Sequence, residues 1–160
     1  MRLYVETSVI SFWFDTHLRN REKKRAARRF LLLCAKKTHE SYVSLIVRDE
    51  LNASREPYRS RDLELVTRLG LKDASFDAPL YARLVEAYRR EPVLTRLPDG
   101  DHRHLALFTA CDLEALVTCN LKDLANQYIL DAVRKVNHAK GVDKEIRSGP
   151  PEAFIPPPTP

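Results

Sequence analysis

Glu6, Glu50, Asp101 and Asp123, together with Asn120, put oxygen-bearing side chains on four separate stretches of a 160-residue chain. Glu6-Thr7-Ser8 follows the apolar run Leu3-Tyr4-Val5, and Ser44 follows Tyr42-Val43, with Glu50 shortly downstream. Asp101 opens a helix after the turn Pro98-Asp99-Gly100, and Asn120 and Asp123 come after the run at 115–118. Oxygen ligands of this kind suit Mg²⁺ or Mn²⁺, which prefer carboxylates and water over nitrogen and sulfur. Two carboxylates alone would make a general acid/base pair. Three or four without an obvious nucleophile point to metal-assisted hydrolysis of a phosphodiester. Each residue also has a structural reading: Glu6 caps the next helix, Glu50 sits on a helix surface, and Asp101 complements a helix dipole. Thr7 and Ser8 either hydrogen-bond a metal ligand or phosphate, or cap a helix. Thr118 supports the site or simply suits a strand. His104, three residues after Asp101 on the same helix face, either orients Asp101 or packs under the sheet. His102 is expected to be exposed, and Cys119 to be a small buried thiol.

Convergence of these side chains requires the apolar runs before them to be strands of one sheet. Arg2 to Val5, 42–44, 71–76 and 115–118 read as strands, with 143–148 as a last edge strand. Helices are expected at 20–37, 46–53, 60–69, 101–111 and 124–139, the last ended by Gly141. Another starts after the cap Asp77, with Pro79 in its first turn and Leu80, Leu84, Ala87 and Tyr88 as its inner stripe. Short strands alternating with helices predict an α/β fold on a parallel sheet covered on both faces, with ligands at the carboxyl ends of the strands. Residues 1–148 read as a single domain. Residues 149–160 hold six of the ten prolines and are expected to be extended or loosely docked.

The net charge of +5 is concentrated in one place. Residues 19–37 carry nine Lys/Arg against Glu22 alone, leaving the rest of the chain slightly acidic. Arg21, Lys24, Arg25 and Arg28 are the candidates for contact with a nucleic-acid backbone, and a solvated helix face is the plainer alternative. Hydrophobic residues at 44% and charged residues at 31% describe an ordinary folded domain and exclude a disordered chain. No apolar run approaches the ~20 residues of a membrane span, and the opening residues lack a signal-peptide layout. Three widely spaced cysteines without a CxxC argue against a disulfide scaffold or zinc finger, so a reducing cytoplasm is expected. Trp13 with Phe12 and Phe14 reads as a core or homodimer patch. With only four glycines and no Gly-rich phosphate loop, a phosphatase-like or receiver-type domain is disfavoured.

Tyr4-Val5-Glu6-Thr7-Ser8-Val9-Ile10-Ser11 resembles the opening of PIN-domain nucleases. Ser44-Leu45-Ile46-Val47-Arg48-Asp49-Glu50-Leu51 is similar to their Ser-x-x-Val-x-x-Glu-Leu segment. Asp101-His102-Arg103-His104-Leu105-Ala106 resembles their Asp-x-x-His-x-Ala, and Leu116-Val117-Thr118-Cys119-Asn120 their Leu-x-Thr-x-Asn. The resemblance implies a three-layer α/β/α sandwich around a parallel sheet of about five strands in the order 3-2-1-4-5. It further implies a Mg²⁺- or Mn²⁺-dependent ribonuclease, such as the VapC-like toxins that an antitoxin protein holds in check. Glu6, Glu50 and Asp101 match the principal metal-binding acids by position, with Asn120 and Asp123 near the fourth. Two departures stand out: Glu6 where the family usually has Asp, and Asn120 where it often has Asp. A catalytically silent PIN-like module that binds nucleic acid or protein is the alternative.

Overall fold

Leu3, Tyr4 and Val5 show none of the polar alternation of a half-exposed strand. The computed structural model, which describes residues 1–157, buries all three completely in the central strand β1 (Arg2–Val5). β1 pairs in parallel with β2 (Glu40–Val43) on one side and β4 (Ala115–Val117) on the other. β3 (Lys72–Asp73) extends the sheet beyond β2, and β5 (Ser148–Gly149) extends it beyond β4. The result is a five-stranded, all-parallel sheet in the order β3-β2-β1-β4-β5. Seven helices flank it in a three-layer α/β/α sandwich: α1 (Thr7–Ser11), α2 (Arg21–Ala35), α3 (Leu45–Ala53), α4 (Tyr58–Arg68), α5 (Ala78–Arg90), α6 (Asp99–Ala110) and α7 (Gln127–Ala139). Among the described residues, no helix is long and apolar enough to cross a membrane.

Local chemistry sets several of these starts. Ser44 Oγ accepts the Val47 N–H at 3.3 Å, and Asp77 accepts the Leu80 N–H at 2.9 Å with Pro79 in the first turn. α7 begins at Gln127 rather than Leu124, because Asn126 caps it through the Tyr128 N–H at 3.0 Å. Gly141, at φ +75°, takes the left-handed conformation just past its end.

Three boundaries differ from the sequence expectation. Pro98 is the residue before α6, so Asp99 and Gly100 join the helix instead of forming a separate turn, and Asp101 is its third residue rather than its first. The strand expected at 71–76 pairs with β2 only at Lys72 and Asp73, while Phe76 makes an isolated antiparallel bridge with Cys111. The edge strand expected at 143–148 is confined to Ser148–Gly149. Lys144 is diverted from any ladder, its ammonium donating to the backbone carbonyls of Phe108 and Cys111 at the end of α6. The proline-rich segment is firmly docked as far as Phe154. Pro151–Phe154 forms a 3₁₀ turn against α2, Phe154 is buried, and the Phe154 carbonyl pairs with His39 Nε2 at 2.9 Å. Residues 158–160 of that segment lie outside the described residues.

Candidate functional site

The chain order of the sheet reverses between β1 and β4, and sheets of this kind bind ligands in a crevice beyond the carboxyl ends of the strands at that switch point. Glu6 is the first residue past β1, and its N–H still bonds the Val117 carbonyl at 3.0 Å, continuing the ladder. Its side chain is only 6% exposed. It accepts the Ser8 N–H on Oε1 at 3.0 Å, and on Oε2 the Ser8 hydroxyl and, at 2.8 Å, the Thr118 hydroxyl. The cap of α1 is therefore Glu6 itself; Thr7 is the first helical residue. Ser8 Oγ in turn accepts the Cys119 N–H at 2.9 Å, and Thr118 Oγ1 accepts the Asn120 N–H at 2.9 Å, tying the β4 end to the β1 end.

Glu50 arrives from α3. Its Oε2 accepts hydrogen bonds from Thr7 Oγ1 and from His104 Nε2, the latter at 3.1 Å. Burial alone would push its carboxyl up. His104, Thr7 and the charge of Arg103 outweigh burial and hold the carboxyl below its ordinary value. Glu50 Oε1 accepts no hydrogen bond among the described residues, and it rests against Gly100: a Cβ there would stand 2.9 Å from it.

Ligating atoms of Glu6, Glu50 and His104 all lie within 4.8 Å of one another. Asp101, 9% exposed, stands outside this group. Asn120 Nδ2 donates to its Oδ2 at 3.2 Å. Burial pushes the Asp101 carboxyl up to about 6, and the negative charges of Asp123 and Glu6 add to the effect while His104 opposes it. Asp123 is thus an electrostatic neighbour of Asp101 and likewise outside the group of three.

The donor set fits a hard divalent cation. Each of Glu6 and Glu50 has one oxygen fixed by two protein donors, and each keeps a second oxygen with open lone pairs. Asp101, Asp123 and Glu6 crowd like charges into a largely buried space, an arrangement that a cation relieves.

No protein-family model matches the chain, and no curated protein or solved structure matches it. The geometry therefore has to carry the functional reading.

His104 packs under the sheet, the second of its two expected roles, and the expectation for His102 is corrected. His104 holds Glu50, not Asp101, because its ring turns toward β1, where Tyr4 OH lies 2.7 Å from Nδ1. His102 is buried rather than exposed, at 4%, with Nε2 bonding the Leu94 carbonyl at 2.8 Å. Tyr4 and Gly100 were not singled out from the sequence. The available signals were a lone hydroxyl in an otherwise apolar strand, and a glycine two residues into an acidic helix start.

On α2, Arg21, Arg25 and Arg28 are exposed and Lys24 is half-buried. Two of these four are already engaged: Lys24 Nζ donates to the Asp15 carbonyl at 2.6 Å and Arg28 Nε to the Trp13 carbonyl at 2.9 Å. Phe12, Trp13 and Phe14 lean on the core, with Lys23, Arg28 and Arg61 respectively 5.5, 5.5 and 4.2 Å from their ring centres.

Proposed function

We propose that this protein is a divalent-metal-dependent endoribonuclease of the PIN kind, acting in the cytoplasm as a toxin restrained by an antitoxin protein. The supporting observation is the pair of carboxylates at the switch point of the sheet: Glu50 Oε2 is held while its Oε1 accepts no hydrogen bond among the described residues, and Glu6 Oε2 is held by two donors while its Oε1 accepts the Ser8 N–H alone. When bound, Mg²⁺ or Mn²⁺ supplies Lewis acidity, stabilising charge on the phosphoryl oxygens and lowering the pKa of water. The chain's own residues do the positioning. Ser8 and Thr118 hold Glu6, Thr7 and His104 hold Glu50, and Asn120 holds Asp101. Asp101 and Asp123 extend the negative field of the crevice toward the cation. Arg21 and Arg25 on α2 are exposed cations suited to a phosphate backbone.

A silent binding module is favoured by one observation: Glu6 is engaged by three donors as the cap of α1, a role it fills with no metal at all. Cleavage assays on RNA with Mg²⁺ or Mn²⁺ separate the two readings. The nuclease reading expects cleavage by wild type, loss with EDTA, loss in Glu6→Gln, and retention in Glu6→Asp. Cleavage that survives EDTA overturns it. If neither wild type nor Glu6→Asp cleaves RNA with either metal, the binding-module reading stands instead.

A further inference from the structure

The polar groups beneath Glu50 form a chain with a direction. The Val47 N–H donates to Ser44 Oγ at 3.3 Å, and Ser44 Oγ lies 2.6 Å from Tyr4 OH. Tyr4 OH lies 2.7 Å from His104 Nδ1, and His104 Nε2 lies 3.1 Å from Glu50 Oε2. Ser44 and Tyr4 are fully buried and His104 nearly so, so their protons must find partners inside the chain. An ionised carboxylate only accepts, which puts a proton on His104 Nε2. With Nδ1 bare, Tyr4 donates to it, Ser44 donates to Tyr4, Val47 donates to Ser44, and every proton is used. In the opposite direction Nδ1–H donates to Tyr4 and Tyr4 donates to Ser44. Ser44 Oγ then receives two donors, and its own proton has no acceptor among the described residues. Burial also holds the Tyr4 phenol well above its ordinary value, so it keeps its proton.

By distance alone His104 Nε2 qualifies as a third ligand beside Glu6 and Glu50. We propose instead that His104 is a positioning residue: Ser44 and Tyr4 lock it as the Nε2–H tautomer, and it holds Glu50 Oε2 so that Oε1 is the oxygen left to bind. The ligand clause rests on the metal-dependent reading above; the tautomer lock does not. A protonated Nε2 has no lone pair to give. The site is then an all-oxygen one, matched to Mg²⁺ or Mn²⁺ rather than to Zn²⁺, which takes imidazole readily.

Two measurements on the full chain test this. Nitrogen-resolved imidazole NMR of the metal-free protein should report the Nε2–H tautomer of His104, and Tyr4→Phe should release part of the population to Nδ1–H. After addition of Mn²⁺, pulsed EPR should show no imidazole-nitrogen coupling. His104→Gln, whose amide still reaches Glu50, should keep most of the Mn²⁺ affinity, whereas His104→Ala should lose about 10-fold. An Nδ1–H tautomer in the wild type overturns the lock. A nitrogen coupling that His104→Gln abolishes makes His104 a ligand and overturns the positioning role. A chain that binds no Mn²⁺ overturns the ribonuclease reading and the ligand clause with it, while the NMR result, read without metal, decides the lock on its own.

Discussion

Asp101 is the residue whose charge the fold accommodates least well. Burial, then Asp123 and Glu6, lift its carboxyl from an ordinary 3.8 to about 6. The native state therefore binds more protons than the unfolded chain between those values, and stability falls as pH rises through that window. Above about 6 the full penalty is present. Asp101→Asn is accordingly expected to raise the stability of the metal-free protein at pH 8 by about 1–2 kcal/mol, and to lose that advantage near pH 4. Mn²⁺ should stabilise wild type more than the variant, and divalent-dependent RNA cleavage should disappear in the variant. Thermal melts in EDTA at the two pH values, repeated with Mn²⁺, read all but the cleavage; equal melting at pH 8 would refute the electrostatic account. Glu6, Glu50 and Asp123 were legible because each comes after a predicted strand and a parallel sheet gathers those ends; Asp101 was legible as an acid at a helix start. The histidine partners were not. An i, i+3 spacing ties His104 to Asp101 along the helix, whereas its actual partners, Tyr4 and Glu50, depend on how α6 sits against β1 and α3.

Among the elements, α6 shows how a distant residue completes a helix. Its C-terminal carbonyls are met by Lys144, whose ammonium also lies 4.0 Å from the centre of the Phe108 ring. Lys144→Met removes the donor, leaving the Phe108 carbonyl with the Cys111 N–H alone and the Cys111 carbonyl without a partner among the described residues, a loss of about 1–2 kcal/mol. A fall of roughly 2–6 °C in melting temperature is expected at pH 7. Melting at or above the wild-type temperature would mean that desolvating the ammonium costs more than its hydrogen bonds return. The same contact keeps residues 143–147 out of β5. Residues 143–147 carry a plausible strand composition, but that pattern does not reveal that Lys144 is drawn to α6. The helix succession and the parallel sheet were readable from alternation and caps, and the strand order only through the family resemblance; short edge strands, fixed by one or two ladder bonds, were not readable.

For the molecule as a whole, the basic excess is divided between two tasks. Lys24 and Arg28 pin the 13–15 segment, while Arg21 and Arg25 face solvent. Reversing Arg21 and Arg25 to Glu is expected to weaken RNA binding and to lower the slope of log affinity against log salt by about 1–2. Anisotropy titrations between low and moderate salt measure it, and an unchanged slope would return this face to simple solvation. Reversing Lys24 and Arg28 should instead lower the melting temperature, since both donate to backbone carbonyls. Composition gave the location of the charge but not this division, because the carbonyl acceptors come from a neighbouring loop.

Phe154, docked on α2 with its carbonyl at His39, also has a consequence in time. Ribosomes synthesise the chain from Glu6 onward, and every acid of the crevice is made before Ser148, Gly149 and Phe154 exist. At about 5–20 residues per second, roughly 7–30 s separate the first acid from the residue that closes the core against α2. Throughout that interval the sheet lacks its fifth strand and Thr118 lacks the Gly149 carbonyl that its N–H bonds at 3.0 Å. The sheet edge beside Thr118 is thus the last of the site's surroundings to be completed.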